Sequence, residues 1–372
     1  MTDTIDQLAR LGHAPHAQAA RQQRAKAITA TQACEDLLLA PALPGGLALA
    51  ERLSVAQAVA AASGVATLAD HYGARLAGLP APAADARWQA ITHFTQLLAT
   101  QPAAADRAAL LALPQAGLAT PDVVLLAQLI GFVAYQARLV AGVAALAALG
   151  PAGTAATAVA PTTPDAPFVH PANLPPPGEP LRLAGYTSET LDWKAWLPVV
   201  DPATASAEQN AVLDASHPKA RTSDFYLVLA HQPRVLAERS EAFNAIMYAT
   251  GGLPRAEREL SATATSRFNG CIYCASVHAR FASHFSHREG DVQRLLDEGV
   301  SADLGPRWNA IVAASAALSA TPSDFGPEHI DGLRAVGLDD YAIADALQGA
   351  AFFNWANRLM LSLGEPQLQV GG

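Results

Sequence analysis

The chain repeats itself. Arg87-Trp88-x-Ala90-Ile91 recurs as Arg307-Trp308-x-Ala310-Ile311, a separation of 220 residues, and the same separation carries Pro102 onto Pro322 and Gly117-Leu118 onto Gly337-Leu338. It holds without a gap through Gln128, Phe132, Tyr135 and Arg138 against Gln348, Phe352, Trp355 and Arg358. One such match is trivial, but an ungapped series over about fifty residues marks a structural unit used twice. Between the copies, nine of the chain's 26 prolines fall from Pro151 to Pro180. Proline gives no N–H to a helix ladder and pushes the preceding residue out of the helical region, so 151–180 reads as an extended linker. The expected organisation is one unit over 1–150, the linker over 151–180 and a second unit over 181–372.

Both units read as helical, which makes the expected fold class all-α, two tandem multihelical domains. Hydrophobic residues are 51% of the chain but aromatics only 6%, so alanine, leucine and valine carry the apolar load. Alanine is the best helix former and a poor strand residue. The second half predicts helices over 253–268, 291–298, 306–318, 327–336 and 341–363, plus one starting near Gly270 with Asn269 as its N-cap and Cys271 in its first turn. No strand pattern is persuasive. The stretch 123–149 is long and apolar enough to span a bilayer, yet it contains Gln128, Gln136 and Arg138. A mid-bilayer arginine costs at least ~2.5 kcal/mol, so one or two buried core helices are expected instead.

The charge balance, 24 Lys plus Arg against 33 Asp plus Glu with no basic cluster, argues against a nucleic-acid partner. Residues 1–26 are polar and show no secretion signal, which makes the cytoplasm the expected location. So apolar a chain must bury much surface, in its core or between subunits.

Three cysteines are present, two of them three residues apart. On a helix of ~3.6 residues per turn, Cys271, Cys274 and His278 share one face. An i, i+3 pair has Cα atoms ~5 Å apart, inside the window for a disulfide. At an unperturbed pKa of ~8.5 only about 3% of a thiol is the reactive thiolate at pH 7. A helix N-terminus would favour ionising Cys271, whereas His278 is placed to accept the proton of Cys274. Spacing alone leaves open which cysteine attacks. Free cysteines are also common as small buried hydrophobes. A zinc site using Cys271, Cys274, His278 and His284 or His287 lacks the usual second, separated ligand pair, so neither metal nor cofactor is expected. A c-type haem would need histidine where Ala275 stands. His284 and His287 read as solvated residues near a helix end, and Cys34 as a bystander.

The pattern Glu259-x11-Cys271-x2-Cys274-x3-His278, within RELSATATSRFNGCIYCASVHARFA, resembles alkyl hydroperoxidase D of the carboxymuconolactone decarboxylase superfamily. The upstream run LVLAHQPRVLAERSEAFNAIMYATGGLPRAERELS is similar to the peroxidase-related branch, and the likeness covers most of 185–365. It implies that Cys274 is the peroxidatic cysteine and Cys271 the resolving one, with His278 and Glu259 forming a proton relay. It further implies a hydroperoxide substrate, an external dithiol reductant such as a lipoyl-bearing protein, and a homo-oligomer. Tyr273 departs from the named enzyme, which has a further histidine there. A thiol–disulfide oxidoreductase using the same cysteines is the alternative within enzymes, and a non-catalytic ligand-binding member the alternative outside them. Aligning His71 with His278 puts Arg52 at Glu259, Gly64 at Cys271 and Thr67 at Cys274, which predicts a first unit that keeps the scaffold without the chemistry. Gln348, Phe352, Trp355 and Arg358 recur in that unit, so they are expected to serve packing.

Overall fold

The computed structural model describes residues 3–152, 175–181 and 185–369, so most of the expected linker lies outside the described residues. The protein is all-α: seventeen α-helices and one two-stranded sheet stand among the described residues. The sheet was not foreseen. Leu191–Ala195 pairs antiparallel with Gly364–Leu368, and the latter contains a glycine and a proline that individually disfavour strand. Only the pairing, between segments remote in the chain, makes it extended.

The duplication is visible helix by helix. Leu49–Ala62 and Arg255–Phe268 occupy equivalent places, and so do Ala66–Leu76 and Ile272–Ser286, Ala86–Thr100 and Pro306–Ser319, and Thr120–Ala148 and Asp340–Ser362. Arg52 donates to the carbonyls of Leu47, Leu38 and Ala40, and Arg258 to those of Leu253, Ile246 and Ala249. Glu51 pairs with Arg87 as Glu257 pairs with Arg307. Gly64 and Gly270 both adopt the left-handed conformation, at φ 79° and 80°. Arg52 and Arg258 therefore correspond, which sets the early register at 206 residues instead of the 207 that the His71 alignment gives. The later step to 220 comes from a longer helix Ile272–Ser286 and from the helix Glu289–Glu298, which the first half lacks.

The two long helices, Thr120–Ala148 and Asp340–Ser362, pack against each other and join the halves into one hydrophobic core. The most apolar window of the first is wholly buried by protein. Gly131 is where they come closest: a Cβ there would lie 2.4 Å from Trp355 Cδ1. Trp355 stacks on Tyr135 at 6.0 Å and donates to Gln128 Oε1 at 2.9 Å. Arg138 reaches across to the carbonyl of Ser319 and the hydroxyl of Thr321, and Arg358 reaches back to the carbonyl of Ala99. Since 99 and 319 are also 220 apart, the repeated residues clasp each other's halves. Burial pulls Arg138 down to about 9.

A third clasp leads toward the cysteines. Arg24 Nε and Nη2 lie 2.8 and 2.7 Å from the two carboxylate oxygens of Asp345, and its guanidinium also donates to the carbonyls of Thr250 and Gly251. Asp345 in turn accepts the Leu253 N–H at 2.9 Å. An arginine of the first half thus pins the turn that opens the helix Arg255–Phe268.

Candidate active site

Two helices and the tight turn between them carry the four residues. Arg255–Phe268 ends at Asn269, which is its C-cap and not the N-cap of the next helix. Gly270 turns the chain with positive φ, and Cys271 is itself the N-cap of Ile272–Ser286, at φ −87° and ψ 90°. Cys271 therefore sits one position earlier than the first turn in which the sequence placed it. The Cys271 carbonyl accepts the Ala275 N–H at 3.0 Å, so the helix starts between the two cysteines. The Cys274 backbone N–H, one of the orphan donors of that first turn, hydrogen-bonds the Cys271 sulfur.

Both thiols are buried, Cys271 at 1% exposure and Cys274 at 6%. They lie within hydrogen-bond reach of each other, with no disulfide formed. Burial, and next the hydrogen bond and charge of Cys274, push the Cys271 thiol well above the ordinary thiol range; the Cys274 backbone N–H and Asn357 pull the other way without prevailing. Cys271 therefore keeps its proton at neutral pH. Asn357 belongs to a buried polar cluster in which Asn269 Nδ2 donates to Asn354 and Asn357 at 3.1 and 3.0 Å and Asn357 donates to Ser266 at 3.0 Å. This cluster ties the turn to the long helix behind it.

One turn past Cys274, His278 Nδ1 lies 2.5 Å from Glu259 Oε2. Glu259 is fully buried, and its other oxygen is 2.5 Å from Arg255, one turn earlier on the same helix. The pairing fixes the His278 tautomer and leaves Nε2 without a protein partner among the described residues. Arg255 is steadied in turn by Tyr248, Phe285 and Phe281, whose ring centres lie 4.4, 5.3 and 5.9 Å from its guanidinium carbon. The Phe353 ring meets His278 edge-on at 4.3 Å. The structure thus brings Glu259 to His278 and Cys271 to Cys274, and puts both pairs on one helix. Tyr273 is held protonated, its phenol pushed up to about 12 chiefly by burial. A groove of about 550 Å³ lined by Arg280, His284, Glu289 and Gln293 includes none of the four residues. His284 and His287 are exposed at the helix end, and no cluster of metal-ligating side chains forms among the described residues.

Sequence reasoning missed Arg255, Asn357 and Phe353. Arg255 was legible, because i, i+4 spacing to Glu259 predicts an ion pair. Asn357 and Phe353 lie some eighty residues away in sequence and carry no local signal.

In the first half, the 206-residue register puts Leu53 at Glu259, Val65 at Cys271, Leu68 at Cys274 and Tyr72 at His278. This corrects the assignment of Arg52, Gly64, Thr67 and His71 to those places. Buried apolar side chains and a buried tyrosine bonded to Gln136 fill the equivalent site. Four hydrophobic or neutral groups cannot ionise a thiol or relay a proton.

The fold and site define a helical domain with a cysteine pair backed by a carboxylate–histidine pair. Residues 233–317, which hold all four residues, match the model of the carboxymuconolactone decarboxylase family, and this segment of the chain belongs to that family. Among solved structures, the chain is similar to the alkylhydroperoxidase AhpD core of an uncharacterized peroxidase-related protein from Ralstonia eutropha JMP134, at 23% identity and a TM-score of 0.40, covering 47% of this chain and 90% of that one. The debrominase Bmp8, without ligand, is similar at 20% identity and a TM-score of 0.36, covering 46% of this chain and 89% of that one. No curated protein matches.

Proposed function

We propose that the second half is a thiol peroxidase. The observation that carries this reading is the adjacency of two unbridged cysteines at a helix start with a buried Glu259–His278 pair one turn on. His278 Nε2 takes the Cys274 proton, and the thiolate attacks the terminal oxygen of a hydroperoxide. The O–O bond breaks, Cys274 becomes a sulfenic acid, and the leaving alkoxide collects the proton from His278 as alcohol. The Cys271 thiol, kept protonated until then, gives its proton as it attacks the sulfenic sulfur; water leaves and a disulfide closes. An external dithiol, of the lipoyl type, returns both cysteines to thiols. Neither metal nor flavin is needed. The first half is a catalytically silent copy, the location is the cytoplasm, and the molecule self-associates without nucleic acid or membrane.

Stopped-flow oxidation of the reduced protein by cumene hydroperoxide tests this. Wild type should form a disulfide, C271S should stop at a sulfenic acid trapped by dimedone, and C274S should not react. Disulfide formation with a dithiol–disulfide partner but none with peroxide would assign the cysteines to thiol–disulfide exchange instead.

A further inference from the structure

Most buried arginines of this molecule have a visible reason to be there. Arg21 meets Asp3 and Asp6, Arg24 meets Asp345, and Arg52, Arg138, Arg258 and Arg358 each donate to backbone carbonyls. Arg239, on the helix Pro233–Met247, is different. It is 6% exposed, donates no hydrogen bond among the described residues, and its Nε is buried without a partner. No carboxylate is among the groups whose charge acts on it. Its guanidinium carbon instead lies 5.2 Å from the centre of the Phe352 ring, 5.5 Å from Phe225 and 5.6 Å from Trp355.

An aromatic box holds a cation in place but does not replace its lost hydration, so a guanidinium buried this way is in want of an anion. The groups whose charge reaches Arg239 are Tyr226, Cys274 and Cys34. The two others stay neutral: burial raises the Tyr226 phenol, and burial with Glu238 nearby drives Cys34 far above the thiol range. Around Cys274 itself stand Cys271, the Tyr273 phenol and, one turn on, His278. Cys271 and Tyr273 are held protonated, which leaves Cys274 as the acid able to supply the charge.

We propose that Arg239 is the counter-charge of the Cys274 thiolate, a positioning residue that stabilises the ionised nucleophile from across the aromatic box without touching the peroxide. The inference rests on the reading of Cys274 as the reactive thiol, but its test needs no peroxide. In full-length C271S, where Cys274 is the remaining reactive thiol, the rate of alkylation by iodoacetamide is followed from pH 5 to 10, with Arg239 or with R239K, R239M or R239Q. Removing a cation makes the thiol harder to ionise, so R239M and R239Q should move the midpoint up by about one pH unit. Alkylation at pH 7 should then slow roughly tenfold while the high-pH plateau stays unchanged. R239K should restore most of the neutral-pH rate. An unmoved midpoint in whichever neutral variant folds, or R239K behaving like R239M, overturns the proposal. A shifted midpoint in a protein that ignores hydroperoxides would keep this role for Arg239 and remove the peroxidase reading.

Discussion

Replacing Asp345 by asparagine tests whether the first half holds the second half's site in place. Asp345 and Arg24 are 1% and 5% exposed at the side chain, and the carboxylate serves both the guanidinium and the Leu253 N–H. The substitution preserves shape but leaves Arg24 a buried cation with only the Thr250 and Gly251 carbonyls as acceptors. Breaking a buried pair from one side costs about 3–5 kcal/mol. Unfolding entropy of ~2.1 cal/mol/K per residue amounts, over the whole chain, to about 0.8 kcal/mol/K. If the halves unfold together, a loss of ~4 kcal/mol therefore lowers Tm by about 5 °C; if the second half unfolds alone, the same loss lowers it about twice as far. Thermal unfolding followed by circular dichroism at 222 nm measures this in D345N, R24M and the double variant. The double variant should recover much of the loss, because no charge then remains unpaired. A drop in D345N of less than about 1 °C would put the pair in the range of a surface salt bridge and refute the reasoning.

Three further outcomes follow from the same geometry. In C274S, burial still holds the Cys271 thiol above its ordinary range, so it keeps its proton at pH 7; iodoacetamide labelling should be slow there and accelerate only above about pH 9, the ordinary thiol range being ~8.5. G131A drives a methyl group into Trp355 at the crossing of the long helices and should cost about 1–3 kcal/mol in urea unfolding, whereas G290A, where nothing lies within 4 Å, should cost little. A chain of residues 181–372 alone exposes the face of Asp340–Ser362 that packs on Thr120–Ala148, and size-exclusion chromatography should find it aggregated.

The sequence by itself determined that this chain is helical, that its later helices repeat at 220 residues, and that Cys271, Cys274 and His278 share a helix while Glu259 lies on the one before. These are local facts of propensity and spacing, which a chain carries whatever surrounds it. The true register of the early helices was harder to read: one shared Leu-Ser pair favoured 207, and only the matching carbonyl grips of Arg52 and Arg258 fixed 206. The helix boundary at Asn269 was legible but its polarity was not, because a C-cap and an N-cap both favour that residue. Tertiary structure alone decided that Arg24 of the silent half pins the opening of the site helix, that Asn357 bonds Cys271, and that Arg239 is buried without an anion. Each depends on long-range packing, which brings together groups whose distance along the chain says nothing about their distance in space.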